Sequence, residues 1–203
     1  QGKGGNVNDI EGIAEAANGI SLVGGSNIST DGDVYIIGKG GSSKGETRDT
    51  NGIHINQSSI EAKGDIDISG KAGDGLVVSK ANGVTVFEGT IDADGNLLIN
   101  GLGGGTESRS VTEARGVAIN SSILNVNDNI SINGNGGILD DFISDTSFSE
   151  ANQGIYLEDN YIEGGAISFT GNSGDGGLLV TGIEMHANRN WTNMNISTFR
   201  KIF

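Results

Sequence analysis

The sequence predicts an all-β fold, and within that class a right-handed parallel β-helix, a solenoid of about six coils with variable loop insertions. Three observations predict it. The chain is rich in glycine yet lacks proline and cysteine, a glycine-led aliphatic motif returns along its length, and two further aliphatic signals follow that motif at nearly constant offsets.

Composition narrows the choices first. The 203 residues include 36 glycines, and aromatic residues make up only 5%. Collagen needs a strict three-residue period and a proline-rich linker needs proline, so short strands joined by tight turns account best for the glycine. With 34% hydrophobic residues and few aromatics, the core has to be a narrow stack of Ile, Leu and Val. No apolar run approaches the roughly 18 residues of a membrane helix, so no membrane insertion is expected. A net charge of −14 with no basic stripe would repel a phosphate backbone, which argues against a nucleic-acid partner. Absence of cysteine removes disulfides and thiolate metal sites together.

The landmark motif is Gly, aliphatic, any residue, aliphatic. It begins at Gly19, Gly52, Gly83, Gly116, Gly154 and Gly182, at spacings of 33, 31, 33, 38 and 28 residues. Seven to nine residues later comes a lone isoleucine, at Ile28, Ile60, Ile91, Ile123 and Ile162. An alternating pair follows: Val34 and Ile36, Ile66 and Ile68, Leu97 and Ile99, Ile130 and Ile132, Ile167 and Phe169, each running into a glycine. Three short alternating segments per unit are three short strands with one buried face.

The remaining segments, 39–51, 71–82, 102–115, 135–153 and 172–181, vary in length and carry most of the charge, as insertions on one side of a solenoid do. One coil cannot bury its few aliphatics alone, whereas stacked coils place Ile53 over Ile20 and Val84 over Ile53. Six coils at about 4.8 Å make a rod of roughly 30 Å. Asn18, Asn51 and Asn82 precede landmark glycines, where a left-handed corner and an Asn ladder are expected; Arg115, Gln153 and Thr181 break the series.

As a domain, 1–203 reads as a single β-helix segment. A partial coil end and insertion (1–18) precede repeats 19–51, 52–82, 83–115, 116–153 and 154–181, and an irregular partial repeat (182–203) follows. Gly2-Lys3 matches Gly38-Lys39, Trp191 falls where the lone isoleucine belongs, and Met194 and Ile196 begin a third strand. Both ends therefore cut through a repeat, and a fragment of a longer array is expected.

The run from Asn51 to Gly70, with Gly52-Ile53-His54-Ile55 and Gly64-Asp65-Ile66-Asp67-Ile68-Ser69-Gly70, resembles the coils of filamentous-haemagglutinin-like exoproteins. These are large adhesins that Gram-negative bacteria export by two-partner secretion. Gly116 to Gly137 is similar to the same coils. The resemblance implies a right-handed β-helix, secreted or exposed at the bacterial cell surface, that serves adhesion and virulence. It also implies an outer-membrane secretion partner for the parent protein.

Asp65 with Asp67 and Asp92 with Asp94 fall at turns or on outward strand positions, where Asp serves turn geometry and solubility; Asp140 with Asp141 lies in the longest insertion. His54 and His186 lack a second ligand at metal spacing and read as exposed surface residues. Calcium-roll nonapeptides are absent. No catalytic residues, metal or cofactor are expected, and the chain is not expected to be an enzyme.

The insertion from Asn135 to Gln153 carries the candidate receptor-contact loop, with Leu139, Asp140, Asp141, Phe142, Asp145 and Phe148, because loops on rigid scaffolds carry recognition. Asn27, Asn56, Asn120, Asn129, Asn190 and Asn195 begin Asn-x-Ser/Thr sequons and are candidate glycosylation sites. The leading expectation is a structural and adhesive shaft segment whose partner is a host-cell surface receptor, a glycan or extracellular matrix. The alternative is a carbohydrate-active β-helix enzyme or phage-tail depolymerase fragment, for which only Tyr35, Tyr156, Tyr161 and Trp191 offer sugar platforms. An ice-binding face is set aside, because the outward positions Ser21, His54, Thr85, Ala118, Tyr156 and Glu184 are too mixed.

Overall fold

The computed structural model describes residues 1–3, 13–104, 110–137, 149–174, 181–189 and 194–199. The landmark motifs form one sheet of six strands, Ile20–Val23, Ile53–Asn56, Val84–Phe87, Val117–Asn120, Ile155–Glu158 and Ile183–His186. A second sheet of five strands holds Asn27–Thr30, Ser59–Ala62, Thr90–Ala93, Ile123–Val126 and Tyr161–Glu163. The aliphatic pairs lie in a third, seven-stranded sheet that runs from Gly2–Lys3 to Met194–Phe199. All strand pairs are parallel and each strand pairs with its counterpart one repeat away, so the chain is an all-β solenoid of parallel sheets.

Register follows the repeat. Ile53 lies between Ile20 and Val84, Ile68 between Ile36 and Ile99, and Gly2 pairs with Gly38 as the sequence suggests. Met194 and Ile196 pair with Ile167 and Phe169. Alternation decides which side is buried: along Ile66–Lys71 the residues read buried, half-buried, buried, half-buried, buried, exposed. The buried side chains of the three sheets merge into one continuous core, with Ile53, Ile99, Ile119 and Phe169 wholly enclosed.

Three expectations are corrected. First, a fourth strand lies ahead of five of the six landmark strands among the described residues. Ile13–Ala16, Ser43–Asp49, Gly75–Lys80, Ser110–Glu113 and Ser149–Ala151, which lie in the segments read as insertions, build a parallel five-stranded sheet. It covers a separate small core of Ala72, Val78, Ala81, Val111 and Ala114. Short strands that bury a single valine among their described side chains, Val78 or Val111, give little periodic signal, which is why variable length and charge suggested insertions.

Second, the aliphatic stacked beneath Ile91 is Leu124, not Ile123. Thr90 pairs with Ile123 and Ile91 with Leu124, and Ile123 is 45% exposed. A strand's faces alternate with a period of two, so a one-residue error turns a core residue outward. Counting from the landmark glycine, the offset of eight shared by Ile60, Ile91 and Ile162 selects Leu124.

Third, the left-handed corner lies after the landmark strand rather than before it. Gly24, Gln57, Glu88, Ser121, Asp159 and Ala187 occupy this corner with φ between 49° and 65°. The landmark glycines serve close approach instead. A Cβ on Gly83 would collide with the backbone nitrogen of Leu102 and the carbonyl of Gly116, and one on Gly70 would collide with the carbonyl of Gly83. Two columns of backbone thus touch where the end of the third sheet abuts the start of the landmark sheet, with the fourth strand looping out between them in the chain, and no side chain fits there.

Ladders of side chains fasten the corners. Asn18, Asn51 and Asn82 do form one, but each side-chain oxygen accepts from the backbone N–H of the next repeat, at 3.0, 3.1 and 2.9 Å, ending on Arg115. A second runs Asp33, Asp65, Asn96 to Asn129 before the third sheet. A third links Gly89, Ser122, Asn160 and Asn188. Each ladder satisfies corner N–H groups that the sheets leave unpaired.

Candidate functional site

The landmark sheet and the fourth sheet meet along the outside of the solenoid, and between them runs a cleft of about 430 Å³. Its position follows from local sequence. The outward residues of the landmark strands at mid-length are Thr85 and Ala118, small side chains flanked by His54 on one side and Tyr156 on the other. Small residues between large ones leave a depression. The fourth sheet supplies the side wall through Lys80 and Glu113, and the corner adds Asn82 and Arg115. Phe87, which is 38% exposed, stands at the rim.

One end of the cleft is tightly organised. The Arg115 guanidinium lies over the Tyr156 ring at 4.0 Å, pairs with Glu113 at 3.3 Å, and donates from Nε to Gln153 at 2.9 Å. Gln153 in turn donates to Glu184 at 2.6 Å, and His186 contacts the other oxygen of Glu184 at 2.7 Å. Glu158 accepts from the Tyr156 hydroxyl at 2.8 Å and from the Asn120 amide at 2.7 Å. Arg115 and Tyr156 cover the floor so closely that Ala118, although outward, is only 6% exposed.

Electrostatics follow from this packing. Burial, reinforced by the hydrogen bond to Glu158 and its charge, pushes the Tyr156 hydroxyl up to about 12, so it remains a donor. At Glu184 burial acts to raise the carboxyl, but the hydrogen bonds from His186 and Gln153 outweigh it and hold the group below the ordinary range. At the other end burial depresses the His54 imidazole and raises the Asp49 carboxyl.

His54 corrects the sequence reading. It is half-buried in the cleft rather than fully exposed, and its Nδ1 atom is enclosed without a hydrogen-bond partner among the described residues. The Oδ1 atom of Asn56, its neighbour in the cleft, is in the same condition. His186 is exposed, as expected.

The other sequence candidates are scattered. Leu139, Asp140, Asp141, Phe142, Asp145 and Phe148 lie outside the described residues, as do Asn190 and Trp191. Asn27, Asn129 and Asn195 are exposed on strands of the second and third sheets, whereas Asn56 and Asn120 line the cleft, so a sugar attached to either would occupy it. Asp65 works in the corner ladder, where backbone and side-chain hydrogen bonds from Asn96 lower its pKa; Asp92 and Asp94 accept from Asn125 and Asn127. No group of three or more His, Asp or Glu side chains suited to a metal occurs among the described residues.

Sequence reasoning missed Lys80, Glu113, Arg115 and Glu158 as site residues, and named Asn56 and Asn120 only as sequons. A signal was present: Arg115 and Gln153 replace Asn in the corner ladder, and the site is where the ladder's chemistry changes.

No family model, no curated protein and no solved structure matches the chain.

Proposed function

We propose that this chain is a shaft segment of a secreted or surface-exposed bacterial adhesin, a right-handed β-helix of about six coils that offers its lateral surface to a host-cell receptor, a glycan or extracellular matrix. The observation that carries this reading is the parallel register that the landmark, second and third sheets keep from repeat to repeat. Such stacking produces length and a continuous lateral surface. The resemblance of Asn51 to Gly70 to filamentous-haemagglutinin-like coils points the same way and supplies the two-partner export route as part of the proposal. On this reading the shaft performs no chemistry of its own.

Saturable binding of the labelled, folded chain to epithelial cells or to immobilised matrix proteins is the expected result. A folded chain that binds neither is a spacer, and the adhesive part of the proposal fails.

One observation favours a second reading. Glu113 and Glu158 bring two carboxylates into the same cleft as Arg115 and Tyr156, a set that a carbohydrate-active enzyme would use. Release of reducing ends or unsaturated products from polysaccharides separates the two readings.

A further inference from the structure

The cleft has a chemistry of its own. Its formal charges balance, with Lys80 and Arg115 against Glu113 and Glu158, on a protein whose net charge is −14. A polyanion would meet the acidic surroundings and a polycation would meet Lys80 and Arg115 inside. What remains is a neutral, polar ligand. The lining alternates planar hydrogen-bonding groups, such as Asn56, Asn120 and Glu158, with exposed aromatic surface at Phe87. Planar donors and acceptors match vicinal hydroxyls, and an aromatic face matches the C–H face of a sugar ring. The volume of about 430 Å³ falls within the range of small-molecule sites, roughly 300–1,000 Å³.

Two further features point to a ligand. The enclosed Nδ1 of His54 and Oδ1 of Asn56, at the same end of the cleft, both lack a hydrogen-bond partner among the described residues, and unpaired buried polar atoms are costly to keep. Rotation of either side chain towards a ligand hydroxyl would satisfy it. At the opposite end, the Arg115–Glu113 ion pair, the stacking of Arg115 on Tyr156 and the hydrogen bond from Tyr156 to Glu158 hold the wall in place before anything binds, which limits the ordering that binding would require.

We infer that the cleft between the landmark and fourth sheets binds a neutral oligosaccharide lying along the solenoid axis, with Phe87 as its platform and Asn56, Asn120 and Glu158 as its hydroxyl partners. The inference rests on the adhesive reading only for the sugar's source, a glycan on the surface that the rod meets. The cleft spans the repeats from His54 to Tyr156, three inter-coil steps of about 4.8 Å each, so it takes a short run of sugar rings rather than a single one.

The test is a titration of the isotope-labelled chain, followed by backbone amide NMR, with cellotetraose and chitotetraose as neutral probes and a heparin tetrasaccharide as the anionic one. Saturable shifts at Thr85, Phe87, Asn120 and Tyr156 with a neutral probe are expected. Phe87→Ala, which trims an exposed ring and leaves the core intact, should weaken binding about tenfold. Thr85→Tyr, which fills the depression from the outward face, should abolish it, with unfolding midpoints showing that both variants fold. Preference for heparin, shifts confined to other faces, or no response to either neutral probe overturns the inference. Cell binding that survives both variants leaves the adhesive reading standing and removes the cleft from it. A cleft that binds sugar on a chain that ignores cells removes the adhesive reading instead.

Discussion

The three inner sheets and the fourth sheet are built from the same chain by the same repeat, yet they are held by different amounts of matter. Inside the three sheets, columns of Ile, Leu and Val and the ring of Phe169 are enclosed through the middle levels, and only the end levels, with Ile20, Leu22, Ile28, Ile183 and Met185, are partly open. Behind the fourth sheet the buried residues are Ala72, Val78, Ala81, Val111 and Ala114. Hydrophobic stabilisation scales with the apolar area removed from water, so the inner stack carries most of the stability and the fourth sheet leans on it. The cleft lies on the boundary, with its floor on the rigid stack and one wall on the weaker sheet.

Substitutions can break or sharpen this contrast. The largest effect is expected at Gly83, where any side chain meets two neighbouring backbones at once; Gly83→Val should cost more than about 4 kcal/mol and abolish the cooperative urea transition. Ile99→Ala, in the inner core, should lower stability by about 2–5 kcal/mol. Val111→Ala, in the small core, removes two methylene-sized groups and should cost about 1.5 kcal/mol in the same urea titration. Equal losses at Ile99 and Val111 would erase the distinction between the two cores.

A smaller effect sharpens the picture at the cleft. Burial lowers the His54 pKa below the ordinary 6.5, with Asp49 opposing the shift and Lys80 adding to it. The unfolded chain therefore takes up the proton first as pH falls. The stability involved is fully present above about 6.5 and is lost as pH drops towards the folded value. Comparison of urea midpoints at pH 7.5 and pH 5.5 should show a fall that is smaller in His54→Gln. An unchanged fall in the variant would mean that the imidazole is not desolvated in the cleft.

The same contrast explains what could be read from the sequence. Large aliphatics at period two announce themselves, so the landmark, lone-isoleucine and paired strands were legible, and even Gly2-Lys3 and Met194 to Ile196 fell where the repeat put them. Ile123 was misplaced because two adjacent aliphatics, Ile123 and Leu124, both fit a loose offset and only stacking selects one. The fourth strands were hidden because Val78 and Val111 are single buried residues among the described side chains of their strands, and the alanines of the small core lie just outside the strands. The cleft was hidden further still, since Lys80, Glu113, Arg115 and Glu158 come from three different repeats and converge only after the coils stack. Its trace in the sequence was the departure of Arg115 and Gln153 from the Asn ladder.

Native-state hydrogen exchange tests the central claim most directly, because it measures local stability amide by amide. The amides of Val84–Phe87 and Leu97–Leu102 should exchange slowest, near the global unfolding limit, and those of Gly75–Lys80 and Ser110–Glu113 measurably faster. Equal protection in all four sheets, or a fourth sheet that outlasts the other three, would contradict the view that a deep inner stack carries a shallower wall beside the cleft.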